Sequence, residues 1–193
     1  LTILRAAGAR DFEANTLDDR GEVYEVLGQY QKALNAYIQA LPILHTIGSR
    51  EHEANILNEI GGASARLGQY DKALSSYSEA LPILSTLGDR HLEADTLDKI
   101  ADLDASTSRY QEALETYFLA LQIRQELGDH KAEGGTLCNI GIVYSSMRRY
   151  DKALELYLRA RPVLKKCGAR DFEANALATW PEFTIGSASI ARR

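Results

Sequence analysis

The stretch from Gly28 to Gly48 reads GQYQKALNAYIQALPILHTIG, and it decides the fold because the chain writes it again every 40 residues. GQYDKALSSYSEALPILSTLG runs from Gly68 to Gly88, SRYQEALETYFLALQIRQELG from Ser108 to Gly128, and RRYDKALELYLRARPVLKKCG from Arg148 to Gly168. No insertion breaks the frame. Tyr30, Tyr70, Tyr110 and Tyr150 share one column, and Ala33, Ala73, Ala113 and Ala153 another. Tyr37, Tyr77, Tyr117 and Tyr157 form a third, and Ala40, Ala80, Ala120 and Ala160 a fourth. Self-similarity at a fixed period of this length marks an array in which each repeat is one supersecondary unit.

Within the quoted stretch, Ala33, Leu34, Tyr37, Ala40, Leu41 and Leu44 recur at the spacing of one helix face. A second element precedes each copy: TLDDRGEVYEVL from Thr16, ILNEIGGASARL from Ile56, TLDKIADLDAST from Thr96 and TLCNIGIVYSSM from Thr136. It too is helical in period, with Ala14, Leu17, Gly21 and Tyr24 on one side. Alternation of period two is absent, so no strand is predicted. Each repeat therefore reads as a hairpin of two helices near 17 residues, joined by loops of two or three.

The punctuation supports this. Gly28 and Gly68 fall where the first helix must turn, and Gly48, Gly88, Gly128 and Gly168 where the second ends. A glycine just past a helix adopts the left-handed conformation without a Cβ clash. Ser49, Asp89 and Asp129 follow, each placed to cap the next helix through a side-chain oxygen. A lone hairpin buries only one of its sides, so the hairpins must stack, with small alanines allowing close approach and tyrosines filling the space between.

The frame divides the chain. Residues 1–7 read as the end of a preceding second helix, followed by repeats at 8–47, 48–87, 88–127 and 128–167. GARDFEAN occurs from Gly8 and again from Gly168, so 168–179 read as the first helix of a fifth repeat, and 180–193 as a non-repeat tail. The third repeat departs most, with Ala101 for glycine, Asp104 for tyrosine and Ser106-Thr107-Ser108-Arg109 at the turn, and is expected to be the loosest hairpin. Pro42, Pro82 and Pro162 share a column deep in the second helix. Either the helix bends at each proline or it breaks there; recurrence at one column favours the bend.

Composition narrows the function. A formal net charge of −5 and a pI near 5.4 give no nucleic-acid footprint. No apolar run approaches the roughly 18 residues of a membrane span. Two distant cysteines, Cys138 and Cys167, make no disulfide framework and suit a reducing, cytoplasmic setting. The chain opens on Leu1, not methionine, which leads to the expectation of a segment of a longer protein. No HExxH, GxSxG, phosphate-binding loop or dinucleotide fingerprint occurs, so no catalytic residue, cofactor or metal is expected. Gly61-Gly62 and Gly134-Gly135 lie within first helices and read as packing positions, His45, His52, His91 and His130 are too scattered for a metal set, and Cys138 reads as a small buried or half-buried thiol.

The order of small and aromatic residues at Gly21, Tyr24, Ala33, Tyr37 and Ala40 resembles the tetratricopeptide repeat over residues 8–167. The repeat here is longer than that family's period of about 34 residues. The proline that commonly closes the family repeat is missing at His45, Ser85, Gln125 and Lys165. In this it is similar to long-helix bacterial arrays, which are often attached to signalling NTPases or caspase-like proteases. The resemblance implies an all-α fold, a right-handed α-solenoid of stacked antiparallel helical hairpins, acting as a protein- or peptide-binding scaffold.

If the family's geometry applies, a concave groove is lined by Asn15, Asp18, Asp19, Glu22 and Glu25, then Asn55, Asn58 and Glu59, then Asp95, Asp98, Lys99 and Asp102, then Asn139. Family members that clamp a chaperone's C-terminal carboxylate use Lys, Asn and Arg at related positions. A wall of carboxylates disfavours that and suits a basic or amide-rich segment; the plainer alternative is a solvated face. Two other readings stand beside the scaffold: a regulatory segment of a larger protease or NTPase, and a structural array that forms homo-oligomers through its uncapped ends.

Overall fold

The computed structural model describes residues 2–166. Those residues form eight α-helices and no strand: α1 (Thr2–Val26), α2 (Tyr30–Ile47), α3 (Arg50–Arg66), α4 (Tyr70–Leu87), α5 (Arg90–Ser106), α6 (Tyr110–Leu127), α7 (His130–Ser146) and α8 (Tyr150–Lys166). The fold is an all-α helical repeat, with two helices for each 40 residues of sequence. It falls into two compact units, the first ending at Thr107 and the second beginning at Ser108, inside the third repeat.

In the first unit each helix packs on its sequence neighbours from α1 to α5. Ala14 of α1, Ala33, Leu34, Tyr37, Ala40 and Leu44 of α2, and Ile56, Ile60 and Ala63 of α3 form one buried cluster. Leu41 covers the next, made of Ala54, Leu57, Ala80 and Leu84. Tyr77 carries the core onward to Ile100 and Leu103. Helix α2 is thus buried from two sides, as the stacking argument requires. In the second unit α7 packs between α6 and α8, burying Leu137, Ile140, Val143, Ala153, Leu156 and Leu164.

The seam turns on a glycine opposite a tyrosine. A Cβ at Gly21 would stand 2.3 Å from the Tyr37 ring, one at Gly61 2.4 Å from Tyr77, and one at Gly141 2.7 Å from Tyr157. Only a residue without a side chain lets the ring pass that close to the first helix. The turns follow the expected chemistry. Gln29 N–H reaches back to the Tyr24 carbonyl at 2.8 Å, and Gly28 takes φ 69°. Where the later repeats lack that glycine, Ser108 and Arg148 adopt the same left-handed conformation, with φ of 64° and 59°.

Three differences from the sequence reading have local causes. Helix α1 continues through Gly8, where a break after residues 1–7 was expected; a glycine permits the left-handed turn but does not compel it. Asp89 and Asp129 accept from Leu92 N–H and Ala132 N–H, whereas Ser49 makes no side-chain cap. Backbone dihedrals at the three caps are nearly alike, so the difference lies in the reach and charge of the side chain. Helices α2, α4 and α8 run unbroken through Pro42, Pro82 and Pro162, which removes the broken-helix alternative. The first helix of a fifth repeat at 168–179, the tail at 180–193, and Cys167 lie outside the described residues.

Candidate functional site

The face built by α1, α3 and α5 carries most of the residues singled out above. Asn15, Asp19, Glu22, Asp95 and Asp102 are exposed, while Asp18, Glu25, Asn55, Glu59, Asp98 and Lys99 are half-buried and Asn58 is buried. Asn139 is half-buried on α7, in the second unit. All but the last therefore belong to one compact unit, and the register of the repeat places them. The glycine–tyrosine seam fixes which side of α1, α3 and α7 is covered, and Ala101 takes the glycine's place on α5.

Electrostatic coupling shows which of these residues are brought together. Burial raises the Glu59 carboxyl above its ordinary range, Lys99 pulls it back, and Asp18 and Glu22 push it further up. Burial likewise raises Glu25, with Glu59 adding to the shift and Lys99 and Arg66 opposing it. Carboxylates on α1 and α3 thus form one cluster, with Lys99 of α5 on its border. The Lys99 ammonium lies over the Tyr77 ring, 5.9 Å from its centroid.

Beneath the cluster are two tyrosines. Tyr37 is fully buried and its hydroxyl has no hydrogen-bond partner. Burial raises its pKa, and Glu25, Glu59, Asp18 and Glu22 raise it further, so the phenol stays neutral. Tyr77 is pushed up to about 12 by burial, then by Glu59, Asp102 and Glu25. Asn58 accepts from the Thr96 hydroxyl at 3.0 Å through Oδ1, which leaves its buried Nδ2 without an acceptor in the chain.

His52, read from sequence as one of four scattered histidines, pairs through Nε2 with Asp18 Oδ2 at 2.8 Å and joins α3 to α1. The 34-residue separation hid that contact. Glu53 is also part of the scaffold. Burial would raise its carboxyl, but bonds from His45 at 3.0 Å and Arg50 at 2.8 Å outweigh that and hold it below the ordinary range. Gly62 was passed over as a packing glycine beside Gly61. A Cβ there would meet only the Tyr77 hydroxyl, at 3.9 Å, so the position is open. Its column in the frame reads Glu22, Gly62, Asp102 and Ile142, and that gap in an otherwise acidic row within the first unit was the available signal.

Cys138 is 6% exposed, and burial pushes its thiol up to about 11, which makes it a packing residue rather than a nucleophile. Among the described residues no group of three or more His, Cys, Asp or Glu side chains could hold a metal ion. No helix among them is long and apolar enough to cross a membrane. A separate apolar groove between α1 and α2 is lined by Phe12, Glu13, Thr16, Leu17, Gln39 and Ile43. In the following repeat the matching Leu57 is buried in a cluster against which Leu41 and the matching Ile83 pack.

The family model described as "Tetratricopeptide repeat" matches residues 52–126 and 106–166, together more than half of the chain. The chain belongs to the tetratricopeptide-repeat family. No curated protein matches it. Solved structures similar to it include BtubC from P. vanneervenii, at a TM-score of 0.76 and 24% identity over 82% of this chain and 66% of that one. The apo form of RapI has a TM-score of 0.78 and 21% identity over 85% and 60%. A Rap protein complexed with competence and sporulation factor has a TM-score of 0.75 and 21% identity over 84% and 45%. At these identities the likeness shows a shared tetratricopeptide-type fold, and the chain spans less than two thirds of each structure's own length.

Proposed function

We propose that this tetratricopeptide array is a protein-interaction scaffold whose α1–α3–α5 face receives a basic or amide-rich segment of a protein or peptide partner. The observation that carries this reading is the acidic cluster in which burial and carboxylate neighbours raise the Glu25 and Glu59 carboxyls, with Asp18 and Glu22 among those neighbours. A positively charged segment relieves that repulsion and gains charge-assisted hydrogen bonds, whereas an acidic one worsens it. One solved relative of the fold, the Rap protein, is known in complex with a factor, which fits a binding role for such arrays.

The test is a panel of extended basic, amide-rich and acidic peptides titrated against the intact chain. Basic and amide-rich members should bind and acidic ones should not. Reversal of exposed Asp19 and Glu22 to lysine should weaken the basic class by about tenfold or more, equal to roughly 1.4 kcal/mol. Equal binding of acidic peptides, or an affinity unmoved by the reversal, removes this face as the site.

A further inference from the structure

The outward side of α1 presents a surface that every later first helix buries. Ile56, Ile60 and Ala63 of α3 lie in the core cluster with α2. Thr96, Ile100 and Leu103 of α5 are buried, and so are Thr136, Ile140 and Val143 of α7. The same three columns on α1 hold Thr16, Arg20 and Val23, and all three are exposed. Phe12 is 74% exposed, and Leu27, just past the helix, 60%. Phe12, Thr16, Val23 and Leu27 recur at helical spacing and make one stripe. Phe12, Glu13 and Thr16 also wall the apolar groove between α1 and α2.

Two charges on the flank of that stripe say what fits it. Helix α1 carries Arg20 where α3, α5 and α7 carry buried Ile60, Ile100 and Ile140. Another repeat docked in the usual way would bury that guanidinium against apolar side chains, which is costly without a partner charge. Glu13 stands two turns earlier on the same flank. Its counterparts Glu53, Glu93 and Glu133 bond to Arg50, Arg90 and His130 at 2.8, 2.7 and 3.2 Å. Glu13 and Arg20 make no ion pair within 4.0 Å among the described residues. A fitting occupant brings a cation opposite Glu13 and a carboxylate opposite Arg20, at the same spacing. Helix α1 itself has both.

We propose that a second copy of this chain packs on this side, α1 against α1, antiparallel about a two-fold axis near Thr16. In such a pair each flank of the helix meets its own equivalent. Glu13 of one copy therefore faces Arg20 of the second copy, and symmetry forms the reverse contact with it. That pairing sets the register, and it brings Phe12 within one turn of Val23 of the second copy. Helix α1 has 25 residues where α3, α5 and α7 have 17. In this register its added first turns run opposite Leu27 of the second copy. The contact closes on itself, so assembly stops at two copies instead of extending end to end. It does not depend on what the α1–α3–α5 face binds.

Sedimentation equilibrium of the full chain over a range of concentrations is the test. The mass should rise from one chain to two and stop there. Glu13→Arg and Arg20→Glu each set like charges opposite one another twice per dimer, and each should weaken association by about tenfold or more. The double variant gives each copy one charge of either sign again, in exchanged positions, and should recover most of that loss. Circular dichroism of the dilute variants should show unchanged helix content, because both side chains are exposed. If one single variant loses helicity, the other single variant and the double variant decide. A mass of one chain at every concentration overturns the proposal, as does a mass that climbs past two. A dimer that withstands the reversals, or that the double variant fails to recover, overturns it as well.

Discussion

The first-helix face in the first unit and the same columns on α7 in the second differ in almost everything except position. Where α1, α3 and α5 carry Asp18, Asn58 and Asp98, α7 carries Cys138; where they carry Glu22, Gly62 and Asp102, it carries exposed Ile142. No carboxylate occupies these columns on α7. The seam below is the same in both units, with Gly61 on Tyr77 and Gly141 on Tyr157. The contrast separates two kinds of constraint. Close packing fixes the seam, because a ring cannot share space with a Cβ. Packing constrains the face less, since Asp19, Glu22 and Asp102 stand exposed there while Asn58 alone is buried.

The strongest way to break this distinction is to mutate both sides of it. Gly61→Ala should cost about 1–3 kcal/mol, since the added methyl group drives into the buried Tyr77 ring, and Gly141→Ala somewhat less, since Tyr157 is half-buried and has room to shift. Gly62→Ala, one position along, should instead gain up to about 1 kcal/mol, because alanine is the better helix former and the space is open. Urea unfolding midpoints measure all three. A loss at Gly62 matching that at Gly61 would mean that the face is packed as tightly as the seam.

The turns sharpen the comparison on a smaller scale. The first unit closes its α1 and α3 ends with Gly28 and Gly68, whereas the second closes α7 with Arg148 at φ 59°. A left-handed non-glycine residue costs roughly 1–2 kcal/mol. Arg148→Gly should therefore raise stability by about 1 kcal/mol, and Gly68→Arg should lower it by a similar amount. Thermal melts of the two variants should move in opposite directions. An Arg148→Gly melt that does not rise would show that the arginine's own contacts offset the strain.

These cases also show what the sequence could reveal. The hairpins were legible because their frame is written four times; the seam glycine recurs at Gly21, Gly61 and Gly141 and the turn glycine at Gly28 and Gly68. Residues 1–7 were read as the end of a separate preceding helix, yet α1 runs without a break through Gly8. The Ser49 cap failed because the frame gives position but not side-chain reach. The charged columns of the face could be found from register. Which of them are coupled could not, because that depends on tilt and burial between helices far apart in sequence. The pairing of His52 with Asp18 and the stranded Tyr37 hydroxyl both belong to that class.

The smallest effect expected is also the one that isolates the face from the scaffold. Burial and its acidic neighbours raise the Glu59 carboxyl above 4.5, so the folded chain holds that proton to a higher pH than the unfolded chain does. Where the folded state binds more protons, stability falls as pH rises. Glu59 thus costs stability at neutral pH, and the cost disappears as pH drops through its raised pKa toward the ordinary value. Glu59→Gln should stabilise the chain at neutral pH by roughly 0.3 kcal/mol, the scale of one relieved like-charge pair. That gain should vanish well below pH 4.5, where the carboxyl is protonated in both states. Asn139→Gln, in the same column on α7, should leave the pH dependence unchanged because it removes no charge. Parallel urea titrations across that range compare the two. A Glu59→Gln gain that persists at low pH would trace to packing, and the acidic cluster would lose the unfavourable energy that a bound cation is proposed to relieve.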